Sequence, residues 1–240
     1  MKTMIIIQAR MGSSRLPGKI LKPLGDSSVL DYVVSRCKQI KQADQVVVAT
    51  SDLQTDDQVE AWCREHDVLC FRGSETDVLA RYFHCAQIYQ PDYVVRVTAD
   101  CPFVDYQTAG ELIDQIQRTD KDYIKVEGNL ARGLIAEAFA YRSLEYIYQH
   151  GHEPRHREHV TYFAYEYPEL FQSAIYHAPK YLCQPELRIT LDTEADYQVM
   201  KQIADHFQDK LVCTEKVVHF LLDHPEIAKL NAHIKQKPVQ

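Results

Sequence analysis

Met4-Ile5-Ile6-Ile7-Gln8-Ala9-Arg10-Met11-Gly12-Ser13-Ser14-Arg15-Leu16-Pro17-Gly18-Lys19 is the stretch from which the fold can be read. Its first four residues are apolar without alternation, the pattern of a parallel strand covered by helices on both faces. The polar run that follows then falls at the C-terminal edge of an open α/β sheet, where such sheets hold their ligands. Gly12 admits close backbone approach, Ser13 and Ser14 add hydroxyls, and Arg10, Arg15 and Lys19 bring three positive charges within ten residues. Backbone N–H groups and basic side chains together suit the oxygens of a triphosphate. The loop is not a Walker A motif, because Ile20 follows Lys19 where Ser or Thr is required, and it is not G-x-G-x-x-G. Charge alone leaves a solvated basic turn open; in the phosphate-loop reading Arg15 and Lys19 are expected on the surface, carrying no packing.

Outward from this loop, apolar runs at residues 46–50, 68–71 and 93–98 repeat the buried-strand pattern. Helical spacing over residues 28–40, 56–65 and 78–89 separates them, and strand-helix-strand repetition with right-handed crossovers predicts a three-layer, open, mostly parallel sheet. Residues 105–118 supply a further helix, and 187–191 read as another strand. Residues 192–207 read as a helix whose start, Asp192-Thr193-Glu194, carries capping and acidic first-turn residues. Residues 123–180 are richer in Tyr and His and less regular, and read as an insertion beside the sheet within one domain spanning 1–240. Only the tail from 235 to 240 reads as frayed.

The 240 residues are 45% hydrophobic and 25% charged, which excludes a disordered chain, a fibre and a coiled coil. No apolar run approaches the ~20 residues of a membrane span, and the N-terminal stretch lacks the pattern of a secretory signal. The expectation is a cytoplasmic protein without a membrane partner. A formal charge of −7 gives no global reason to hold nucleic acid. The seven cysteines are odd in number and form no C-x-x-C pair, so they read as reduced thiols.

Asp100 follows the strand at 93–98 and Asp192 the segment at 187–191, so two carboxylates on neighbouring strand ends could share one Mg²⁺. Read alone, Asp192 could equally cap the following helix, and Asp100 could stabilise the turn before Pro102. His150, His152, His156 and His159 cluster with Arg155 and Arg157. The intervening arginines disfavour zinc and favour a basic pocket for an anionic sugar, with His159 and Arg155 its main members.

Residues 6–21, Ile-Ile-Gln-Ala-Arg-Met-Gly-Ser-Ser-Arg-Leu-Pro-Gly-Lys-Ile-Leu, resemble the nucleotide-binding signature of the sugar-activating cytidylyltransferases. These enzymes make CMP-activated 3-deoxy-manno-octulosonate and CMP-sialic acid, and the details are most similar to the SpsF-like branch of spore coat polysaccharide biosynthesis. V-V-V-A-T-S-D (46–52), F-R-G-S-E-T-D-V-L-A-R-Y (71–82), V-R-V-T-A-D-C-P (95–102), E-H-V (158–160) and R-I-T-L-D-T-E-A-D (188–196) follow in the family's order. The resemblance implies a nucleotide-diphospho-sugar transferase-like fold and transfer of CMP from CTP to a sugar, with release of pyrophosphate. It implies nucleotide contacts at Gln8, Ala9, Arg10, Met11, Gly12, Ser13, Arg15, Lys19, Gly73, Ser74 and Asp77, with Arg10, Arg15 and Lys19 catalytic. It further implies Mg²⁺ on Asp100 and Asp192, a sugar site at Glu137, Arg155, His159 and Arg188, and a homodimer through residues 123–180. CTP over UTP is carried by the resemblance alone, and Arg72-Gly73-Ser74 could be an ordinary surface turn.

Ala99-Asp100-Cys101-Pro102 departs from the Gly-Asp-Glu-Pro character of the octulosonate enzymes. That leaves the acceptor open, a nonulosonic or other α-keto acid sugar being the first expectation. The competing readings are a metal-dependent nucleotide-sugar glycosyltransferase, which would normally carry Asp-x-Asp, and a non-catalytic partner in polysaccharide assembly.

Overall fold

The computed structural model describes residues 1–235. Its first half follows the expected alternation. β1 (Thr3–Gln8), a small hairpin of β2 (Pro23–Leu24) and β3 (Ser27–Ser28), α1 (Val29–Cys37), β4 (Gln45–Ser51), α2 (Asp57–Glu65), β5 (Leu69–Gly73), α3 (Val78–Tyr89), β6 (Tyr93–Thr98) and α4 (Tyr106–Thr119) succeed one another. β1 lies between β4 and β6 and runs parallel to both, and β5 runs parallel to β4. Ile5 and Ile7 pack on one face with Val33 and Leu112, while Met4 and Ile6 pack on the other with Tyr82 and Ile147. All four β1 residues are fully buried, the physical reason that the run shows no alternation.

Residues 123–180 correct the expectation of an insertion beside the sheet. They contribute β7 (Tyr123–Glu127), β8 (Glu137–Ala140) and β9 (Ser173–His177) to the sheet itself, whose order is β5-β4-β1-β6-β8-β7-β9. β8 is antiparallel to both β6 and β7, and β9 is parallel to β7 at the sheet edge. α5 (Tyr141–His150), α6 (Pro154–Glu158) and α7 (Tyr162–Glu166) pack on the α3 face. The strands escaped the apolar-run pattern because they are short or lie at an edge; β9 alternates exposed and half-buried residues.

Residues 187–191 are not a strand of the sheet. Among the described residues they form only an isolated β-bridge, between Arg132 and Arg188, and Leu191 N–H donates to Asp100 O. Leu187, Ile189 and Leu191 are apolar because they pack into a second core with Met200, Ile203 and Val217. That core is built on α8 (Glu194–Phe207) and α9 (Thr214–Asp223), with α10 (Pro225–Ala228) against them. α8 is capped by Thr193, whose side chain accepts from Asp196 N–H in a reciprocal capping box, so Asp192 is not the cap. Arg36, fully buried, ties the two cores together. It donates to the carbonyls of Val104, Lys210 and Val212 and to the Thr214 hydroxyl.

No helix among the described residues is long and apolar enough to cross a membrane. All seven cysteines are free thiols. The tail expected to fray lies, apart from Lys235, outside the described residues.

Candidate active site

A cleft of about 1300 Å³ opens at the C-terminal ends of β1 and β6. Gln8, Arg10, Gly12, Ser13, Arg15 and Lys19 line it from the first loop, Asp100 and Asp192 from its floor, and Glu137, Arg155 and His159 from the acceptor side. Gly18, at φ 67°, turns the chain so that Lys19 starts a short 3₁₀ turn and is drawn inward. Lys19 is therefore buried rather than on the surface. Its Nζ donates to Leu191 O at 2.6 Å, Asp100 Oδ2 at 2.8 Å and Asp192 Oδ1 at 3.0 Å. Burial pushes the ammonium pKa down, but the two carboxylates outweigh it and hold Lys19 above the ordinary lysine value. Burial likewise pushes Asp100 up, and the Lys19 charge with hydrogen bonds from Lys19, Thr98 and Cys101 holds it below the usual carboxylate range.

Arg15 Nη2 lies 3.0 Å from the same Asp192 Oδ1. Arg188 takes the other oxygen, Oδ2, at 2.7 Å, and also Asp196 at 2.9 Å. This corrects the expectation that Arg188 contacts the sugar: it is buried behind Asp192 and does not line the cleft. Its charge is needed there to neutralise buried Asp196, so it orients the Asp192 carboxylate.

Since Asp100 Oδ2 and Asp192 Oδ1 both reach one Nζ atom, the two carboxylates converge on one point. Hard oxygen donors so placed fit Mg²⁺, with phosphate oxygens and water filling the remaining positions. Among the described residues no set of three or more His, Cys, Asp or Glu gathers as a metal site. Two of the clustered histidines are engaged elsewhere: His156 Nε2 meets Glu166 at 2.6 Å, and His150 Nδ1 meets Tyr146 O at 2.8 Å.

Arg10 is held away from this point by Glu75 at 3.0 Å and Glu158 at 3.3 Å. Gly73, Ser74 and Asp77 do not line the cleft. Asp77 caps α3 through Ala80 N–H and pairs with Arg157, Ser74 Oγ accepts from Asp77 N–H, and Glu75 between them reaches the first loop. Ala9 and Met11 brace the loop from behind, through Ala49 O and Asp56. Buried Asp56 accepts from Met11 N–H and from both Ser51 donors, an anchor that sequence reading missed. Arg96 was missed too. It lines the cleft from β6 with Nη1 2.5 Å from Glu137 Oε2, while Thr161 and Tyr165 hydroxyls donate to the same carboxylate. A charge set among the valines of a covered strand is the signal that could have found it. Arg155 faces the cleft but is engaged by Glu153 and Glu166. Burial holds the His159 imidazole below its ordinary pKa.

The first loop, the paired carboxylates and the covered parallel strands form a nucleotide-binding edge, and residues 4–237 match the family described as cytidylyltransferase. The chain belongs to the cytidylyltransferase family. It is 37% identical over 205 residues to the spore coat polysaccharide biosynthesis protein SpsF of Bacillus subtilis, covering 83% of this chain and 85% of that one. It is 34% identical over 237 residues to an uncharacterised protein of Methanocaldococcus jannaschii, covering 99% and 97%. A solved cytidylyltransferase from Leptospira borgpetersenii superposes with a TM-score of 0.89 at 31% identity, covering 99% of this chain and 100% of that one. As a cytidylyltransferase the protein is a nucleotidyltransferase. Family membership separates it from the glycosyltransferases and from a merely structural partner.

Proposed function

We propose that this cytidylyltransferase transfers CMP from CTP to an acidic, α-keto acid sugar, releasing pyrophosphate, in the assembly of a surface or spore coat polysaccharide. The observation that carries the reading is the convergence of Lys19, Arg15, Asp100 and Asp192 at the end of the first-loop strand. A sugar hydroxyl attacks the α-phosphorus in line, and the chain's part is positioning and charge neutralisation rather than covalent catalysis. Arg10, Arg15 and Lys19 hold the triphosphate and the charge that grows on the leaving pyrophosphate. Gly12 and Ser13 let the phosphates approach the backbone, while Glu137, fixed by Arg96, Thr161 and Tyr165, faces the acceptor. Asp100 and Asp192 would hold Mg²⁺, which when bound supplies electrophilic neutralisation of phosphate oxygens. Similarity to SpsF supports the polysaccharide role. The excess of basic over acidic side chains lining the cleft supports an acidic acceptor. The edge strand β9, with Ile175 and nearby Leu170 exposed, supports a homodimer through residues 123–180.

Pyrophosphate release is the test, measured with Mg²⁺ across CTP and UTP against α-keto acid and neutral sugars. Release is expected only with CTP and an α-keto acid sugar. Preference for UTP or for neutral sugars would overturn the reading.

A further inference from the structure

Nearly every cation lining the cleft is already matched to a carboxylate. Arg10 meets Glu75, Arg15 and Lys19 meet Asp192, Arg96 meets Glu137, Lys125 meets Glu127, and Arg155 meets Glu166. Arg132 is the exception: it lines the cleft, is exposed, and has no carboxylate partner among the described residues. Its backbone is fixed on both sides. Arg132 N–H donates to Leu187 O at 3.0 Å, and its carbonyl accepts from Ile189 N–H at 2.9 Å. The next residue, Gly133, has φ +92°, and a Cβ there would fall 2.3 Å from Ile189 O. The result is a free guanidinium carried into a ligand cleft on a rigid mount.

Resting on the acidic-sugar reading above, we propose that Arg132 binds the acceptor's carboxylate and selects acidic over neutral acceptors. A guanidinium presents two parallel donors that match a carboxylate. The other cations on this side, Arg96, Lys125 and Arg155, each already have a glutamate partner, and Arg132 has none among the described residues. The triphosphate has its own cations on the first loop, which springs from β1, whereas Arg132 belongs to the connection between β7 and β8, beyond β6 in the sheet. Val126 at the end of β7, and Leu130 and Ile135 in the connection itself, line the cleft beside Arg132, and such side chains suit a carbon skeleton and offer nothing to a polyphosphate.

The test uses the full chain, CTP, the α-keto acid sugar that supports release, and the same sugar with its carboxylate converted to the carboxamide. Arg132→Gln is expected to raise the KM for the acid about tenfold or more, the size of one lost charge-assisted contact, with the KM for CTP within about twofold. The acid should lose its advantage over the carboxamide in this variant, and Arg132→Lys should recover part of it. An unchanged KM for the acid, or an equal rise in both KM values, would overturn the assignment while leaving the CMP-transfer reading intact. Failure of the wild-type protein to release pyrophosphate with any α-keto acid sugar would overturn that reading, and this one with it.

Discussion

Lys19 and Arg36 are both buried cations, yet they are satisfied by different kinds of partner. Lys19 is held mainly by the carboxylates of Asp100 and Asp192 at the floor of an open cleft. Arg36 is held by three main-chain carbonyls and one hydroxyl, with Tyr106 stacked 5.0 Å from its guanidinium carbon. Carboxylates at a cleft can exchange one cation for another, or for a metal and phosphate arriving together. Carbonyls in a closed core cannot, since they face only the group that folding delivered. On the proposed function the first arrangement serves chemistry and the second the fold, although both meet a desolvation cost.

The comparison is tested most severely at the cleft. Lys19→Ala should lower turnover by about 10²–10³, the usual cost of losing one charge partner in the transition state. Its melting temperature should shift little, because water can reach the stranded Asp100 and Asp192. Asp100→Asn should behave in the same way. Near-normal pyrophosphate release by both variants would remove the site from Lys19 and Asp100.

Arg36→Met should do the reverse. Several buried oxygens lose their donor, so stability should fall by about 3 kcal/mol or more while the variant's folded fraction keeps its turnover. Chemical denaturation read alongside pyrophosphate release separates the two. A stability loss no larger than that of Lys19→Ala would erase the distinction.

The smallest effect concerns Asp31, which ties α1 to the α8–α9 connection by accepting from Lys210 at 2.6 Å. Burial pushes the Asp31 carboxyl up, and hydrogen bonds from Lys210 and Ser27 more than offset this, leaving it below the ordinary value. A depressed carboxyl contributes stability that is present above its unfolded pKa of about 3.9 and is lost as pH falls through the folded value. Asp31→Asn should therefore cost under about 1 kcal/mol at neutral pH and flatten the acid limb of the stability curve below about pH 4. An acid limb identical to wild type would assign that loss to other carboxylates.

Residues before 120 were legible because parallel strands buried on both faces must be apolar throughout, and Met4–Ile7 announces this without any neighbour. The later strands were not: β8 is buried on both faces but only four residues long and half alanine, too short to show a pattern, and β9 is an edge, where apolar pressure is weak. In the site, Asp100 and Asp192 were readable from their place after apolar segments. Arg188 was misread because a buried arginine that braces a carboxylate has the same letters as one that binds a ligand. Asp56 and Arg132 left no trace, because their roles depend on which main-chain groups arrive beside them from distant parts of the sequence.

Gly133 has a further consequence, for how the enzyme can be altered. With Ile189 O against the place a Cβ would take, the chain around Arg132 and the chain leading to Asp192 are clamped at a fixed spacing. Position 133 is thus closed to side chains, whereas position 132, one residue away and facing the cleft, has room for other side chains that keep its N–H bond to Leu187 O. On the proposed role of Arg132, selectivity sits at the rim and the paired carboxylates lie beneath it, so a change of acceptor preference is expected to leave their alignment unchanged.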